Sequence, residues 1–224
     1  MCFYCYCAKQ QFSLLIKEVF VVYNFTIPMA LVDYIPVIFF GITTVLLQLD
    51  LYGKMRKDAF ALFAAGTINI FAAGFLKATW KLLYAAGICD FAALNTMFLP
   101  VQSIGFMLAG VGIVMMLCTR KKVLAAVAPP VFSGSVIFIM MMVLGLGSIC
   151  TVLSILAVKL KKNGAMALFI LAFLCSMGMG AMSGQDTTQA WVNWTEQGIN
   201  CVGQGLLMWG TLILHKNGLK EINL

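Results

Sequence analysis

The residues most able to do chemistry lie on one face of the last apolar stretch of the sequence. Asn193, Glu196, Asn200 and Gln204 recur at intervals of three and four residues, and Gln197 can replace Glu196 in the same pattern. This spacing places them on one side of an α-helix. Polar groups are costly inside a membrane and usually face the interior of a helix bundle, so this face is the first candidate for a binding site.

Polar residues on other apolar stretches could complete such a site. They are Asp33 at the start of the first stretch, Asn69 and Lys77 on the second, and Gln102 near the start of the third. We expect Lys77 to reach the level of Glu196 and to pair with it or with an aspartate. Together with the polar face, these residues predict a substrate-binding cavity that opens to the outer side of the membrane.

The polar face has a second interpretation. Asn, Gln and Ser side chains commonly hydrogen-bond neighbouring membrane helices, so a polar stripe can hold a bundle together without binding a ligand. The sequence is compatible with both interpretations. Glu196 favours a ligand or ion pathway most, because it is ionisable.

The composition indicates a membrane protein. The 224 residues are 62% hydrophobic and 10% charged, whereas soluble domains are about 45–50% apolar and about 25% charged. A membrane-spanning helix needs about 20 apolar residues, so the chain has room for about six to eight of them. The predicted fold class is all-α, a polytopic membrane helix bundle that forms one domain.

Apolar runs separated by short polar or basic segments predict seven transmembrane helices. Their approximate limits are 31–49, 59–84, 97–118, 123–143, 147–160, 165–183 and 190–214. The fourth and fifth come from one apolar run, which is about twice the length of a span. We divide it at Gly145–Ser148, because glycine and serine favour turns. Keeping the run as one helix gives the alternative count of six.

The basic residues favour seven helices and predict the orientation. With the N-terminus outside and the C-terminus cytoplasmic, every basic cluster between helices lies on the cytoplasmic side, as is usual in membrane proteins. These residues are Lys54, Arg56, Lys57, Arg120, Lys121, Lys122, Lys159, Lys161, Lys162, Lys216 and Lys220. A six-helix chain would have the later clusters outside. We therefore attribute the net charge of +7 to topology and not to nucleic-acid binding.

Both ends of the chain fall outside the predicted membrane domain, 31–214. Residues 1–30 are predicted to form an interfacial or poorly ordered segment, because Lys17 and Glu18 interrupt their apolar run. Residues 215–224 are predicted to form a cytoplasmic tail.

The motifs of known enzyme classes are missing from the sequence. There is no GxSxG motif, no phosphate-binding loop and no histidine pair. The single histidine is His215, and most cysteines beyond the N-terminal segment lie inside apolar runs, so no metal site is expected. We expect no enzyme activity and no cofactor.

These observations predict a small transporter or channel for a small polar or cationic solute, in a plasma membrane of the prokaryotic inner-membrane kind. The alternatives are a non-transporting sensor or assembly partner of a membrane complex and, third, a membrane-embedded enzyme. The expected partners are the lipid bilayer and the solute. Glycine-rich faces on the third, sixth and seventh helices are compatible with an oligomer.

Overall fold

The computed structural model describes residues 25–117, 135–182 and 189–222, and these residues form helices without any strand. The helices are α1 Ile27–Val32, α2 Tyr34–Leu51, α3 Lys57–Ala85, α4 Ala92–Thr96, α5 Phe98–Leu117, α6 Ser135–Lys159, α7 Asn163–Met182 and α8 Ala190–Lys216, followed by the 3-10 turn Leu219–Glu221. The all-α helical bundle is therefore confirmed.

Five stretches of the described residues are long and apolar enough to cross a membrane. They are Ile27–Leu51, Lys57–Ala85, Ala92–Leu117, Val136–Lys159 and Asn163–Gly180. The helix α8 is also long, at 27 residues, but it carries the polar face. This set of helices is compatible with a multi-pass integral membrane protein, as the composition predicts.

The first three long helices run in alternating directions. The hydroxyl of Tyr34 on α2 lies 3.0 Å from Thr79 Oγ1 on α3, and Gln48 Nε2 donates to Thr67 Oγ1 at 2.9 Å. Because the later residue of α2 meets the earlier residue of α3, the two helices are antiparallel. The helices α3 and α5 are antiparallel by the same test, since Gly66 packs on Ala109 and Gly112 packs on Phe63.

The helix α8 closes the bundle by packing between α7 and α2. It is antiparallel to α7, because Gly203 contacts Cys175 and Gly210 contacts Phe169. It is parallel to α2, because Gly205 lies against Phe39 near the middle of the helices and His215 meets Asp50 at their ends. The first and last long helices of the described chain therefore end on the same side.

The helices α5 and α6 are parallel neighbours. The helix α5 is antiparallel to α3 and therefore parallel to α2. The helix α6 is joined to α7 by a short turn and is antiparallel to it, so α6 is parallel to α8 and to α2 as well. Gly110 and Gly145 meet where α5 and α6 cross, and a Cβ added at Gly110 would lie 2.8 Å from the Gly145 backbone. The end of α5 and the start of α6 consequently lie at opposite ends of the bundle.

We call the end where α2, α5, α6 and α8 finish the basic end. Its basic residues in the described chain are Lys54, Arg56, Lys57, Lys159, Lys161, Lys162, Lys216 and Lys220. Arg120, Lys121 and Lys122 lie outside the described residues. The other end, where α1 and α8 begin, is called the opposite end.

The predicted break at Gly145–Ser148 is wrong, because α6 is continuous through it. The glycines serve close packing instead of a turn. A side chain at Gly145 would overlap the carbonyl group of Phe106 on α5, and one at Gly147 would lie 3.3 Å from the ring of Phe173 on α7. A continuous helix also pairs the backbone groups that a hairpin in the bilayer would leave exposed to lipid.

The ends of the predicted domain differ from the observed helices. The first helical segment begins at Ile27, where Thr26 caps α1 by accepting a bond from the Met29 amide. The predicted N-terminal segment up to residue 24, and the predicted fourth helix up to residue 134, lie outside the described residues. The predicted tail packs on the bundle, since Leu219 is fully buried and Lys54 Nζ donates to the carbonyl of Ile222.

The close contact at Gly145 yields a stability prediction. We expect Gly145→Ala to lower the free energy of unfolding by about 1–3 kcal/mol, because the α5 backbone must move to admit the methyl group. Gly198→Ala is the control, since a Cβ there meets nothing within 4 Å. Thermal unfolding of both variants in detergent tests this, and equal stability would contradict the close packing.

Candidate functional site

Four charged residues meet at the opposite end of the bundle, and we call them the charged cluster: Asp33, Lys77, Lys81 and Glu196. Asp33 lies at the junction of α1 and α2, the two lysines lie on α3, and Glu196 lies on α8. Lys77 interacts electrostatically with the other three residues of the cluster, and so does Glu196. Three of the four were predicted as site residues, and the structure brings those three together.

Asp33 pairs directly with Lys81. Lys81 Nζ lies 2.6 Å from Asp33 Oδ2, and the two side chains are only 8% and 14% exposed. Sequence reasoning named Lys77 as a partner and left Lys81 out of the site. The spacing in the sequence indicates that Lys81 belongs with Lys77, because the two lysines are one helical turn apart and share a helix face.

Lys77 has an aromatic partner. Its Nζ lies 4.0 Å from the ring centroid of Phe98 on α5, a cation–π geometry that stabilises a partly desolvated ammonium group. No carboxylate of the described residues lies within 4.0 Å of this Nζ. Lys77 therefore contacts the Phe98 ring and interacts with Asp33 and Glu196 over a longer distance.

Glu196 is half-buried and forms no hydrogen bond or ion pair with any described residue. The neighbouring Gln197 is 3% exposed, and neither atom of its amide group has a hydrogen-bond partner in the described chain. Glu196 and Gln197 can therefore each form further hydrogen bonds.

The polar face of α8 points into the bundle. Asn193 is 2% exposed, whereas the nearby Trp194 is 45% exposed. Asn193 Nδ2 donates to the Gln189 carbonyl oxygen at 3.3 Å, and Asn200 is half-buried. The helical periodicity therefore predicted the direction of this face correctly.

A row of buried polar groups without partners runs along α8. Gln197, Gln204 and Thr211 follow one another at seven-residue intervals, and each has a buried polar atom with no hydrogen-bond partner among the described residues. We call these three residues the polar track. At 1.5 Å per residue the track covers about 21 Å of the helix. A buried polar group without a partner costs about 1–3 kcal/mol, so such groups usually bind water or a ligand.

Other helices add groups of the same kind to the interior. Thr44 Oγ1 on α2 and Ser103 Oγ on α5 are buried and have no partner in the described chain. The predicted site residues Asn69 and Gln102 are half-buried on α3 and α5. The structure gives no hydrogen bond from either of them to the charged cluster, so it does not join these two residues to the site.

A hydrogen-bonded pair of Asp50 and His215 lies at the basic end, where the polar track finishes. His215 Nδ1 lies 3.0 Å and 2.9 Å from the two carboxylate oxygens of Asp50. The Asp50 side chain is 2% exposed and the His215 side chain is 41% exposed. Sequence reasoning placed His215 in a tail and did not single out Asp50. The sequence has no local pattern that indicates this pair, because the two residues are 165 positions apart.

The described residues contain no group of three His, Cys, Asp or Glu side chains that could hold a metal ion. The chemistry that the arrangement offers is hydrogen bonding and charge pairing. A solute could exchange these interactions with the charged cluster and with the polar track.

The Asp33–Lys81 pair yields a second stability prediction. We expect Asp33→Asn to lower the free energy of unfolding by about 3–5 kcal/mol, because Lys81 would remain buried without its counter-ion. The double variant Asp33→Asn/Lys81→Met should recover most of this loss. As a control, Arg56→Gln breaks the exposed Arg56–Asp58 pair and should cost at most about 1 kcal/mol. Chemical unfolding in detergent tests this. Additive effects of Asp33→Asn and Lys81→Met would contradict a direct pair.

Comparison of the chain with protein-family models, with curated proteins and with solved structures gives no match. The function therefore has to be inferred from the geometry of the charged cluster and the polar track.

Proposed function

We propose that the protein is a small transporter or channel that moves a small polar or cationic solute along the polar face of α8. The observation that carries this proposal is the polar track, because its three residues keep unpaired polar atoms buried in the bundle over about 21 Å. This is most of the roughly 30 Å thickness of a bilayer's hydrocarbon core. A solute that hydrogen-bonds to these atoms in turn would offset their desolvation.

The charged cluster lies where such a solute would enter. Glu196 has a carboxylate without a direct partner, so it can accept a hydrogen bond from an ammonium or hydroxyl group. The nearby lysines balance the two acidic groups, which leaves the cluster without net charge in its fully ionised state. A neutral polar solute or a single cation therefore fits the cluster better than a multiply charged anion does.

Polar side chains do form interhelical contacts in this bundle, but between a different pair of helices. The hydrogen bonds Tyr34–Thr79 and Gln48–Thr67 join α2 to α3. If the polar track served only to hold helices together, its side chains would form hydrogen bonds of this kind to neighbouring helices. Gln197, Gln204 and Thr211 have unpaired atoms instead, which favours a pathway for a solute. No contact of these residues favours a catalytic role.

We further propose that the chain crosses the membrane seven times, with the N-terminus outside and the basic end in the cytoplasm of a plasma membrane. The parallel arrangement of α5 and α6 supports this count. From their contact at Phe106 and Gly145, Leu117 lies about 16 Å towards the basic end and Ser135 about 15 Å towards the opposite end. Two parallel helices that follow one another in the chain require one further crossing between them, so the six long helices of the described residues are consistent with the proposed seven crossings.

With seven crossings, the clusters of basic residues lie on one side of the membrane. The turn after α2, the turn after α6 and the end of α8 all lie at the basic end, and Arg120, Lys121 and Lys122 come three to five residues after Leu117 in the sequence. Membrane proteins carry their excess of lysine and arginine on the cytoplasmic side. The proposed orientation therefore places these basic residues in the cytoplasm.

The transport proposal is tested by flux into liposomes that contain the purified chain, with potassium, choline and glycerol as separate probes. We expect at least one probe to enter faster than in protein-free liposomes. Glu196→Gln with Asn200→Ala should then slow its entry about tenfold, because a bond to a charged group contributes about 1.5–3 kcal/mol.

The matched control is Glu221→Gln, which removes an exposed carboxylate at the basic end and should leave the flux unchanged. Unchanged flux in the double variant Glu196→Gln with Asn200→Ala would show that these two residues are not part of the solute site. Equal entry of all three probes with and without the protein would contradict transport.

A further inference from the structure

An apolar groove lies between α6 and α7 on the outer surface of the bundle. It has a volume of about 540 Å³, and its lining includes Thr151, Ile155, Val158, Ile170 and Phe173. Several of these side chains are exposed, with Ile155 at 40%, Val158 at 51% and Ile170 at 48%. In a membrane these exposed groups face the lipid, so the groove opens towards acyl chains.

One end of the groove meets a group of three lysines, which we call the lysine turn: Lys159, Lys161 and Lys162. Lys159 itself lines the groove, and the other two follow in the turn that joins α6 to α7. The groove is therefore apolar along its length and basic at the end that lies at the membrane surface.

The lysine turn has a fixed backbone geometry. The Lys162 amide donates to the Ala157 carbonyl at 2.8 Å, and the Lys161 amide donates to the Val158 carbonyl at 2.9 Å. These two bonds form a Schellman motif, whose left-handed position usually holds glycine. Lys161 occupies that position with φ of 56°. A lysine there has an unfavourable backbone conformation, because a positive φ favours glycine.

We propose that this groove is a binding site for an anionic phospholipid. An acyl chain lies along the apolar lining, and the headgroup phosphate binds the lysine turn. Charge complementarity identifies this occupant, because basic pockets between membrane helices on the cytoplasmic side bind anionic headgroups. A second copy of the chain would bring a second lysine turn against the first, which opposes docking of two copies at this end. The site is separate from the charged cluster, and it rests on the proposed orientation of the basic end and not on transport.

The test uses the full chain in a neutral detergent, with the melting temperature as readout. Phosphatidylglycerol should raise the melting temperature, whereas phosphatidylcholine with the same acyl chains and free glycerol phosphate should not. Lys161→Gly separates binding from folding. Without lipid this variant should be at least as stable as the parent, since glycine favours a positive φ, but it should need about fivefold more phosphatidylglycerol for the same shift.

Two pairs of variants test the groove and the charge independently. Thr151→Trp fills the groove and should abolish the shift, while Leu144→Trp, at another exposed position of α6, should keep it. Lys159→Gln with Lys162→Gln should weaken the response, while Lys216→Gln, at the same end on α8, should not. Equal shifts with both phospholipids, or an unchanged response in Thr151→Trp, would overturn the proposal.

Discussion

The bundle depends on the need of two carboxylates in its first long segment for a cationic or hydrogen-bonding partner. The segment formed by α1 and α2 has one near each end: Asp33 is paired with Lys81 of α3, and Asp50 is paired with His215 of α8. An uncompensated charge inside the protein costs several kcal/mol, so each pair holds two helices at a fixed height. Because α2 is held to both neighbours, the direction and depth of α8 are fixed as well.

The position of α8 links the fold to the proposed function. Parallel packing on α2 turns Asn193, Gln197 and Gln204 towards the interior and places Glu196 beside the lysines of α3. The Asp33–Lys81 ion pair and the Asp50–His215 hydrogen bond then lie at the two ends of the polar track. The same packing makes α5 and α6 parallel, which brings the lysine turn to the basic end. The proposed solute pathway and the proposed lipid site thus depend on one arrangement of helices, although they use different surfaces.

The sequence predicted those features that depend on local periodicity. The face of α8 was correct because a 3.6-residue period determines which side chains lie together, whatever the neighbours are. The break at Gly145 was wrong because glycine suits both a turn and close helix packing, and only the backbone of α5 distinguishes the two. The choice between Lys77 and Lys81 as the partner of Asp33 also depends on tertiary position. The pair of Asp50 with His215 joins residues far apart in the sequence, so no local pattern could predict it.

The most direct test of this arrangement is the sidedness of three cysteines, labelled with a membrane-impermeant maleimide after the other native cysteines are replaced by alanine. Gly53→Cys and Gly164→Cys lie at the basic end, at positions where a Cβ meets nothing within 4 Å, and the native Cys89 is exposed at the opposite end. Seven crossings predict that Cys89 reacts in intact cells and that the two introduced cysteines react only after permeabilisation. Labelling of positions 53 and 164 from opposite sides would contradict the parallel packing of α5 and α6, and with it the position of α8.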